Sequence, residues 1–422
     1  MNKLILAVLL IGVSFAVNKP VFAASTSVDA LINKLIDKGV LTKEEARDIK
    51  AEVIADEKIL SEDQMKQQLP SWVRNLSFKG DLRTRFQYKH DKATSDLTRD
   101  TNTGAIRMRL GIDSKINDKL NAGIGIATGS GNPRSTNITL GTYSSKKNIY
   151  IDYGFAKYSP LAWVNIVGGK MLLNDVLWEP TDLIWDTDIT PEGGILQLTK
   201  KLDKVSLFLN AGVLLIDSDT STDNDAPTAY IAQPGFSYKF NDDISIKTAV
   251  SLQSFDNINE HVSSSNSAGS NSGNTTAGTS RYMYDYSMIN PAVELKVMNP
   301  FKAMGLGLES IKLFGEYVDN LSVSEKSTGY SAGIQLGNDK INKWGDWQFK
   351  YIYAMLGKDS VLDILPDSDR YGGKTGVRSH EGILSFGLGK NTFLGFDLYR
   401  SERIGTAKAP ETLGQIDWNL KF

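Results

Sequence analysis

Gly414-Gln415-Ile416-Asp417-Trp418-Asn419-Leu420-Lys421-Phe422 alternates without a break. Gly414, Ile416, Trp418, Leu420 and Phe422 take one parity, and Gln415, Asp417, Asn419 and Lys421 the other. A side-chain period of two sends the two sets to opposite faces of a β-strand. Working back from this stretch, the same form recurs. Leu76, Phe78, Gly80, Leu82, Thr84, Phe86 and Tyr88 alternate with Ser77, Lys79, Asp81, Arg83, Arg85 and Gln87. Ile106, Met108, Leu110 and Ile112 alternate with Arg107, Arg109, Gly111 and Asp113. Ile149, Ile151, Tyr153 and Phe155 read as one apolar face, with Asp152 opposite. Trp347, Phe349, Tyr351 and Tyr353 form another, with Lys350 opposite.

About sixteen such spans can be drawn: 75–88, 104–116, 119–128, 147–158, 162–173, 193–201, 204–216, 228–240, 243–255, 281–297, 309–322, 328–337, 346–357, 377–389, 392–403 and 412–422. Most exceed the usual soluble strand of about 5–6 residues. Their connections alternate between very short ones, such as Asn117-Asp118, Ser159-Pro160-Leu161, Asn241-Asp242 and Lys390-Asn391, and long ones. Pro234 and Pro291 fall inside proposed strands, where each removes a ladder donor. A charge on a lipid-facing midplane position costs roughly 2–4 kcal/mol, so the charged parity belongs to a wet interior. The pattern predicts an all-β, transmembrane antiparallel β-barrel over 71–422, with the last strand pairing with the first. Phe422, Leu420 and Trp418 then face lipid.

The totals agree. The chain has 422 residues, a formal net charge of −2, three histidines and no cysteine. Nothing indicates nucleic acid as a partner, and disulfide and thiolate chemistry are excluded. Residues 1–23 read as a signal peptide: Lys3, an apolar run from Leu4 to Val17, then Val21-Phe22-Ala23. Residues 24–70 read as a short periplasmic helical segment. Val28, Leu31, Ile32, Leu35 and Ile36 have helical spacing, and Thr42-Lys43-Glu44-Glu45 is a capping box. The segment reads as a small helical pair or as a trimerising coiled coil.

Taken in order, these stretches resemble the putative porin family of bacterial outer membranes. The resemblance rests on Phe78-Lys79-Gly80-Asp81-Leu82-Arg83-Thr84-Arg85-Phe86, Asp152-Tyr153-Gly154-Phe155, Gly169-Lys170-Met171, Leu183 through Gly193, Tyr317-Val318-Asp319-Asn320 and Asp367-Ser368-Asp369-Arg370-Tyr371-Gly372-Gly373. Where the family has a Pro-containing segment after Met171, Leu172-Leu173-Asn174 stands here. The resemblance implies a passive diffusion channel in the outer membrane, a homotrimer set among lipid and lipopolysaccharide, and a carboxyl-terminal assembly signal (Trp418, Leu420, Phe422) read by the barrel-assembly machinery. It also implies a third long loop folded into the lumen. That loop, 174–192, is acidic (Asp175, Glu179, Asp182, Asp186, Asp188, Glu192) and carries Trp178 and Trp185, which a water-exposed loop seldom does. Lys79, Arg83, Arg85, Arg107 and Arg109 line the lumen on the early strands. Acids opposite a basic wall predict a transverse field at a constriction; the plainer reading is a solvated wall that anchors the loop.

No metal or cofactor is expected. Asp217 to Asp225 lacks the Gly and final Glu of a calcium loop and reads as a solvated turn. His380-Glu381 has no accompanying Ser nucleophile, so no catalytic residue is assigned. Inward Tyr150 and Tyr158 are too few for an aromatic sugar ladder. Three functions stay open: a general porin for ions and small hydrophilic solutes, an anion-preferring channel, and a structural or adhesive barrel.

Overall fold

The computed structural model describes residues 75–92, 98–218, 226–259, 273–277, 281–304, 307–405 and 409–422, with 32, 34–36, 38, 42 and 44–49 near the amino terminus. The chain divides into two units, Met1–Arg74 and Asn75–Phe422. The signal-peptide reading of 1–23 lies outside the described residues. In the first unit the capping box forms as spelled. The Glu45 amide donates to Thr42 Oγ1 at 3.2 Å, and the Thr42 amide donates to Glu45 Oε2 at 2.9 Å.

The second unit is a closed antiparallel barrel of sixteen strands. They are β1 (Leu76–Lys92), β2 (Thr98–Lys115), β3 (Leu120–Thr128), β4 (Ile149–Leu161), β5 (Val164–Lys170), β6 (Glu192–Lys201), β7 (Val205–Leu215), β8 (Thr228–Lys239), β9 (Ile244–Asp256), β10 (Tyr286–Met298), β11 (Ser310–Asn320), β12 (Thr328–Gly337), β13 (Trp347–Leu356), β14 (Val377–Gly389), β15 (Thr392–Arg403) and β16 (Glu411–Lys421). Each pairs with its neighbours in sequence, and β16 returns to β1. The seam runs from Asp81↔Lys421 to Asp91↔Glu411. It extends one residue further, because the Gly80 amide donates to the Phe422 carbonyl at 2.8 Å and the Phe422 amide to the Gly80 carbonyl at 3.0 Å. Gly80 is required here. A Cβ built on it would stand 2.4 Å from the Phe422 ring.

The two parities separate as the pattern demands. Phe78, Phe86, Ile416, Trp418 and Phe422 are exposed on the outward face, while Arg85, Gln415 and Asp417 are buried on the inner one. Leu420 is half-buried. The termini of the barrel and the short turns share one rim; the long loops occupy the other.

Several boundaries differ from the sequence reading. β1 continues to Lys92 and β2 begins at Thr98, so this hairpin stands taller than 75–88 and 104–116. The expected turn at Ser159-Pro160-Leu161 is still strand; the chain turns after Leu161, and the ladder slips between Tyr158 and Leu161. The span 162–173 shortens to β5, and the span 281–297 begins its barrel strand only at Tyr286. Arg281–Tyr282 pairs instead with Thr276–Ala277 in a separate hairpin.

One expectation of facing is reversed. The β3–β4 ladder slips between Gly125 and Ile126, passing over Asp152. This bulge changes the parity of the rest of β4. Ile149 and Ile151 stay outside, but Tyr153 is buried, with its ring against the sites of Gly111 and Gly125 on the inner wall. Tyr158 turns outward instead of inward and is exposed.

The prolines are tolerated locally. The β8–β9 ladder is interrupted between Ala249↔Gly235 and Leu252↔Ala232, at Pro234. The β10–β11 ladder is interrupted between Ile289↔Asp319 and Ala292↔Glu316, at Pro291. Beside Pro291 the Asn290 side chain supplies a substitute donor to the Tyr317 carbonyl at 2.8 Å.

One pair before β5 and β6 end at Lys170↔Glu192, two glycines face each other across the ladder, Gly169↔Gly193. Both have positive φ, +119° and +146°, and a Cβ on either would lie within 2.3 Å of a neighbouring strand's carbonyl oxygen. Only glycine fits both constraints.

Gly80→Val should lower the melting temperature of the barrel refolded in detergent, and Phe422→Ala in that background should recover part of the loss. Detergent refolding removes any cellular assembly factor. An additive double mutant would show that ring and glycine are not in contact.

Candidate functional site

Among the described residues, loops of the long-loop rim turn into the barrel, foremost the chain's third, 171–191. After Met171 it makes a single helical turn, Leu173–Val176, and then runs across the lumen. Leu173, Val176, Leu177, Leu183, Ile184, Trp185 and Ile189 are all buried. Their neighbours are inner-wall residues Ile195, Leu214, Ile231, Phe255, Met288, Val318 and Leu356. Burying each large side chain contributes about 1.5–3 kcal/mol relative to exposure, so the loop is held by a core of ordinary soluble type. Polar contacts set its register. The Trp185 indole donates to Gln253 Oε1 at 3.0 Å. Gln233 brackets the Trp178 peptide, accepting from its amide at 2.9 Å and donating to its carbonyl at 2.8 Å. Lys247 stands 4.6 Å over the Trp178 ring. Thr181 donates to Glu316 on β11 and meets Ser331 on β12.

A second inward loop, 357–376, packs against the first. Val361, Leu362 and Leu365 join the same apolar cluster. The Asp186 amide donates to the Leu365 carbonyl, and the Ser368 amide donates to Asp186 Oδ2 at 2.9 Å. From the loop after β3, buried Arg134 donates to the carbonyls of Asp363, Pro366 and Gly373. The sequence reading did not give 357–376 or Arg134 a role. The signal was present in Val361-Leu362-Asp363-Ile364-Leu365, an apolar run inside a loop as telling as the paired tryptophans.

The basic residues predicted from sequence lie together on the inner wall of β1 and β2. Lys79 pairs with Asp113 at 2.7 Å, near the Tyr153 ring. Arg83 donates to Asn137 Oδ1 at 2.7 Å and stands 3.5 Å from Asp417. Arg85 grips both oxygens of Asp417, at 2.7 and 2.8 Å, and reaches Asp369 of the second inward loop at 3.1 Å. Arg107 pairs with Asp81 at 2.7 Å. Arg109 pairs with Asp188 at 2.5 Å, and Asp188 also accepts from the Thr136 amide.

The acidic loop residues divide. Of the six, Asp188 alone touches the arginine wall. Asp175 and Glu192 are exposed, and Glu192 pairs with Lys170 at 2.8 Å. Asp182 and Asp186 face the second inward loop. Glu179 is half-buried as a residue, yet both its carboxylate oxygens are shielded and meet no donor among the described residues. Most partners of the basic wall are therefore acids the sequence reading left out: Asp81, Asp369 and Asp417 for the arginines, and Asp113 for Lys79.

The environments pull the loop carboxyls apart. Burial, with Glu316 and Asp182 nearby, pushes Glu179 well above the ordinary carboxylate range. Burial, then Asp188 and Asp367, pushes Asp186 up to about 9. Burial and Asp367 take Asp182 to about 6. Asp188 goes the other way: burial opposes its charge, but Arg109, Arg107 and Arg83 outweigh burial and hold it below its usual value. Around neutrality Asp188 is the charged member facing the wall, while Asp186 is held neutral and Glu179 is pushed in the same direction.

Below the loop's first turn, toward the short-turn rim, a cavity of about 440 Å³ opens. Ser77, Asp113, Lys157, Asp175 and Gln197 are among its polar lining residues. Among the described residues no group of His, Cys, Asp and Glu is arranged to hold a metal.

A closed sixteen-stranded barrel with apolar outside, charged inside and loops folded into the lumen is the architecture of a membrane channel. The family model described as Putative porin matches residues 89–296 and 281–422, and the chain belongs to that family. No curated protein matches it by sequence. The structure of OprB from Pseudomonas putida is similar in fold, with a TM-score of 0.54 at 11% identity over 82% of this chain and 94% of that one. A Salmonella typhi OmpF structure, in complex with daunomycin, has a TM-score of 0.47 at 12% identity, covering 82% of this chain and 97% of that one. Membership and fold point to a porin channel of the outer membrane.

Glu179 gives the third loop a pH dependence of defined sign. Its folded value lies above the unfolded value of about 4.3, so the packed loop holds the neutral form. Packing is fully favoured below the unfolded value and weakens as pH rises toward the folded one. Hydrogen exchange over 174–192, corrected for intrinsic rates, should lose protection progressively as pH rises above the ordinary carboxylate range. Glu179→Gln should flatten that loss, and an unchanged slope would remove Glu179 from this role.

Proposed function

We propose that ions and small hydrophilic solutes cross by diffusion between the arginine wall of β1, β2 and β16 and the two inward loops, which together form the constriction. Charge balance along this path carries the reading. Five cations (Lys79, Arg83, Arg85, Arg107, Arg109) face five carboxylates (Asp81, Asp113, Asp188, Asp369, Asp417), each in a named ion pair. A wall so neutralised favours weak selectivity over strict anion preference. It still presents ordered dipoles that orient a polar solute, because paired charges keep a local field even when their sum vanishes.

Asp188 is the element of the constriction that joins loop to wall. Its pair with Arg109 ties the inward loop to β2, so loop position and wall charge change together. Asp175, Glu179, Asp182, Asp186 and Glu192 act through the placement of the loop. Assembly as a homotrimer among outer-membrane lipid and lipopolysaccharide belongs to the same reading. So does recognition of Trp418, Leu420 and Phe422 by the barrel-assembly machinery. The outward placement of Trp418 and Phe422 on the closing strand supports it.

Planar-bilayer recording tests the assignment. Arg83→Ala with Arg109→Ala leaves Asp188 and part of Asp417 uncompensated. Reversal potentials in a salt gradient should shift toward cations by roughly fivefold in permeability ratio, the scale of a charge removed beside a wet path. Unchanged selectivity and conductance would place the solute path elsewhere. In parallel, liposomes containing the protein should swell in small sugars and cease to swell as sugar size increases. No swelling at any size would favour a structural or adhesive barrel.

A further inference from the structure

Arg134 lies in the loop after β3, close in sequence to Thr136 and Asn137, which meet Asp188 and Arg83. It is 3% exposed. One of its guanidinium nitrogens, Nη1, donates to three carbonyls of the second inward loop: Asp363 at 2.9 Å, Pro366 at 3.3 Å and Gly373 at 2.9 Å. The Arg134 carbonyl in turn accepts from Ser368 Oγ at 3.0 Å. Side chain and backbone of one residue thus gather both ends and the middle of the stretch from Asp363 to Gly373.

That stretch has a shape it would not hold alone. Tyr371, Gly372 and Gly373 follow one another with φ of +53°, +65° and +76°. This is the left-handed region, which the Tyr371 side chain disfavours and which residues normally enter singly. Buried carbonyls on irregular backbone need donors from side chains. Arg134 supplies one at Gly373, and the Tyr371 hydroxyl ties the bend to the Ala409 carbonyl at 2.8 Å. Gly373 is fitted to the clamp, since a Cβ there would stand 2.4 Å from Arg134 Nη1. Asp369 sits inside the clamped stretch and reaches Arg85 at 3.1 Å, while Arg85 grips Asp417 with its other nitrogens. Among the described residues Asp369 is the carboxylate by which the second loop meets the arginine wall, as Asp188 is for the third.

We infer that Arg134 is a positioning residue for conduction. By gathering the carbonyls of Asp363, Pro366 and Gly373 it sets the stretch between them so that Asp369 meets Arg85, and the charge balance of the constriction depends on that clamp. The inference rests on the proposed path between the arginine wall and the inward loops. When Asp369 swings away from Arg85, the wall keeps a cation that is less compensated, and the channel turns toward anions. A brace with no part in conduction would change stability and leave selectivity where it was.

The sign of the selectivity change supplies the test, read as reversal potentials of the full chain in planar bilayers under a salt gradient. Arg134→Met removes a cation, so a direct electrostatic role would shift the channel toward cations. The positioning role predicts the opposite, a shift toward anions by about twofold in permeability ratio, the scale of one charge losing its partner beside a wet path. Gly373→Ala pushes the guanidinium off its carbonyls without altering any charge and should shift the same way. Asp369→Asn should give the shift directly, and Gly373→Ala added to it should contribute nothing more. Arg134→Lys, whose ammonium carries three donors for the three carbonyls, should keep the wild-type value. Heat-modified gel mobility checks that each variant is folded, and Gly373→Ala carries the test if Arg134→Met does not fold. A shift toward cations in Arg134→Met, no shift in Gly373→Ala, a silent Asp369→Asn, or additive Gly373→Ala and Asp369→Asn overturns the inference. Failure of the proposed path shows separately, as unchanged reversal potentials in Arg83→Ala with Arg109→Ala.

Discussion

Inside hydrocarbon no water is available to bond a peptide group, and each unpaired N–H or C=O costs several kcal/mol. Everything else in this protein follows from that. The sheet has to close, so β16 returns to β1 and leaves no edge among the barrel strands. Closure fixes register, and register fixes which side chains meet lipid. A slip of one residue along the seam would carry Arg83, Arg85 and Asp417 outward and Phe86 and Trp418 inward. The seam is protected against that slip by side-chain shape at its lower end, where the Phe422 ring occupies the space Gly80 leaves.

The interior solves a different problem. A sixteen-stranded ring is too wide for wall side chains to fill, so the lumen has to be occupied by water or by chain. Here both are used. Two inward loops bring in an apolar core, with Trp185, Ile184 and Leu362 fully out of solvent. On the β1–β2 side the wall carries charge pairs instead of apolar contacts. The division is sharp because Asp188 marks the boundary, belonging to the loop by sequence and to the arginine wall by contact. Placing Asp188 under three arginines while burial beside Asp188 and Asp367 pushes Asp186 up to about 9 is how a single loop carries carboxyls of opposite protonation state.

Much of this was legible in the sequence because a period of two survives averaging over long strands. The sixteen strands, the outward Phe422 and the inward arginines all rest on that period. What was lost was lost at irregularities. A bulge adds one residue and reverses the parity after it, so Tyr153 and Phe155 read as lipid-facing although they line the inner wall, and Tyr158 read as inward. Strand ends near Leu161 and Lys170 depend on glycine backbone angles and ladder slips that composition does not encode. In the candidate site the tryptophans announced a packed loop, and the loop is packed. The partners of the arginines were harder to see. Asp81 and Asp417 sit on the wall's own strands, so a search for acids opposite the wall passes over them.

The glycine pair that frames the third loop has a consequence for how such a channel diversifies. Gly169 and Gly193 face each other one pair before β5 and β6 stop. Everything the wall needs lies before the first or after the second. One further pair, Lys170↔Glu192, and the Met171 amide bond to the Pro191 carbonyl close the ladder, and the segment beyond them is held by contacts inside the lumen rather than by the membrane. The segment is a cassette with fixed attachment points: its length, charge and apolar faces can change while the ring that holds it keeps its register. In such a scaffold the two residues with no side chain are the least replaceable.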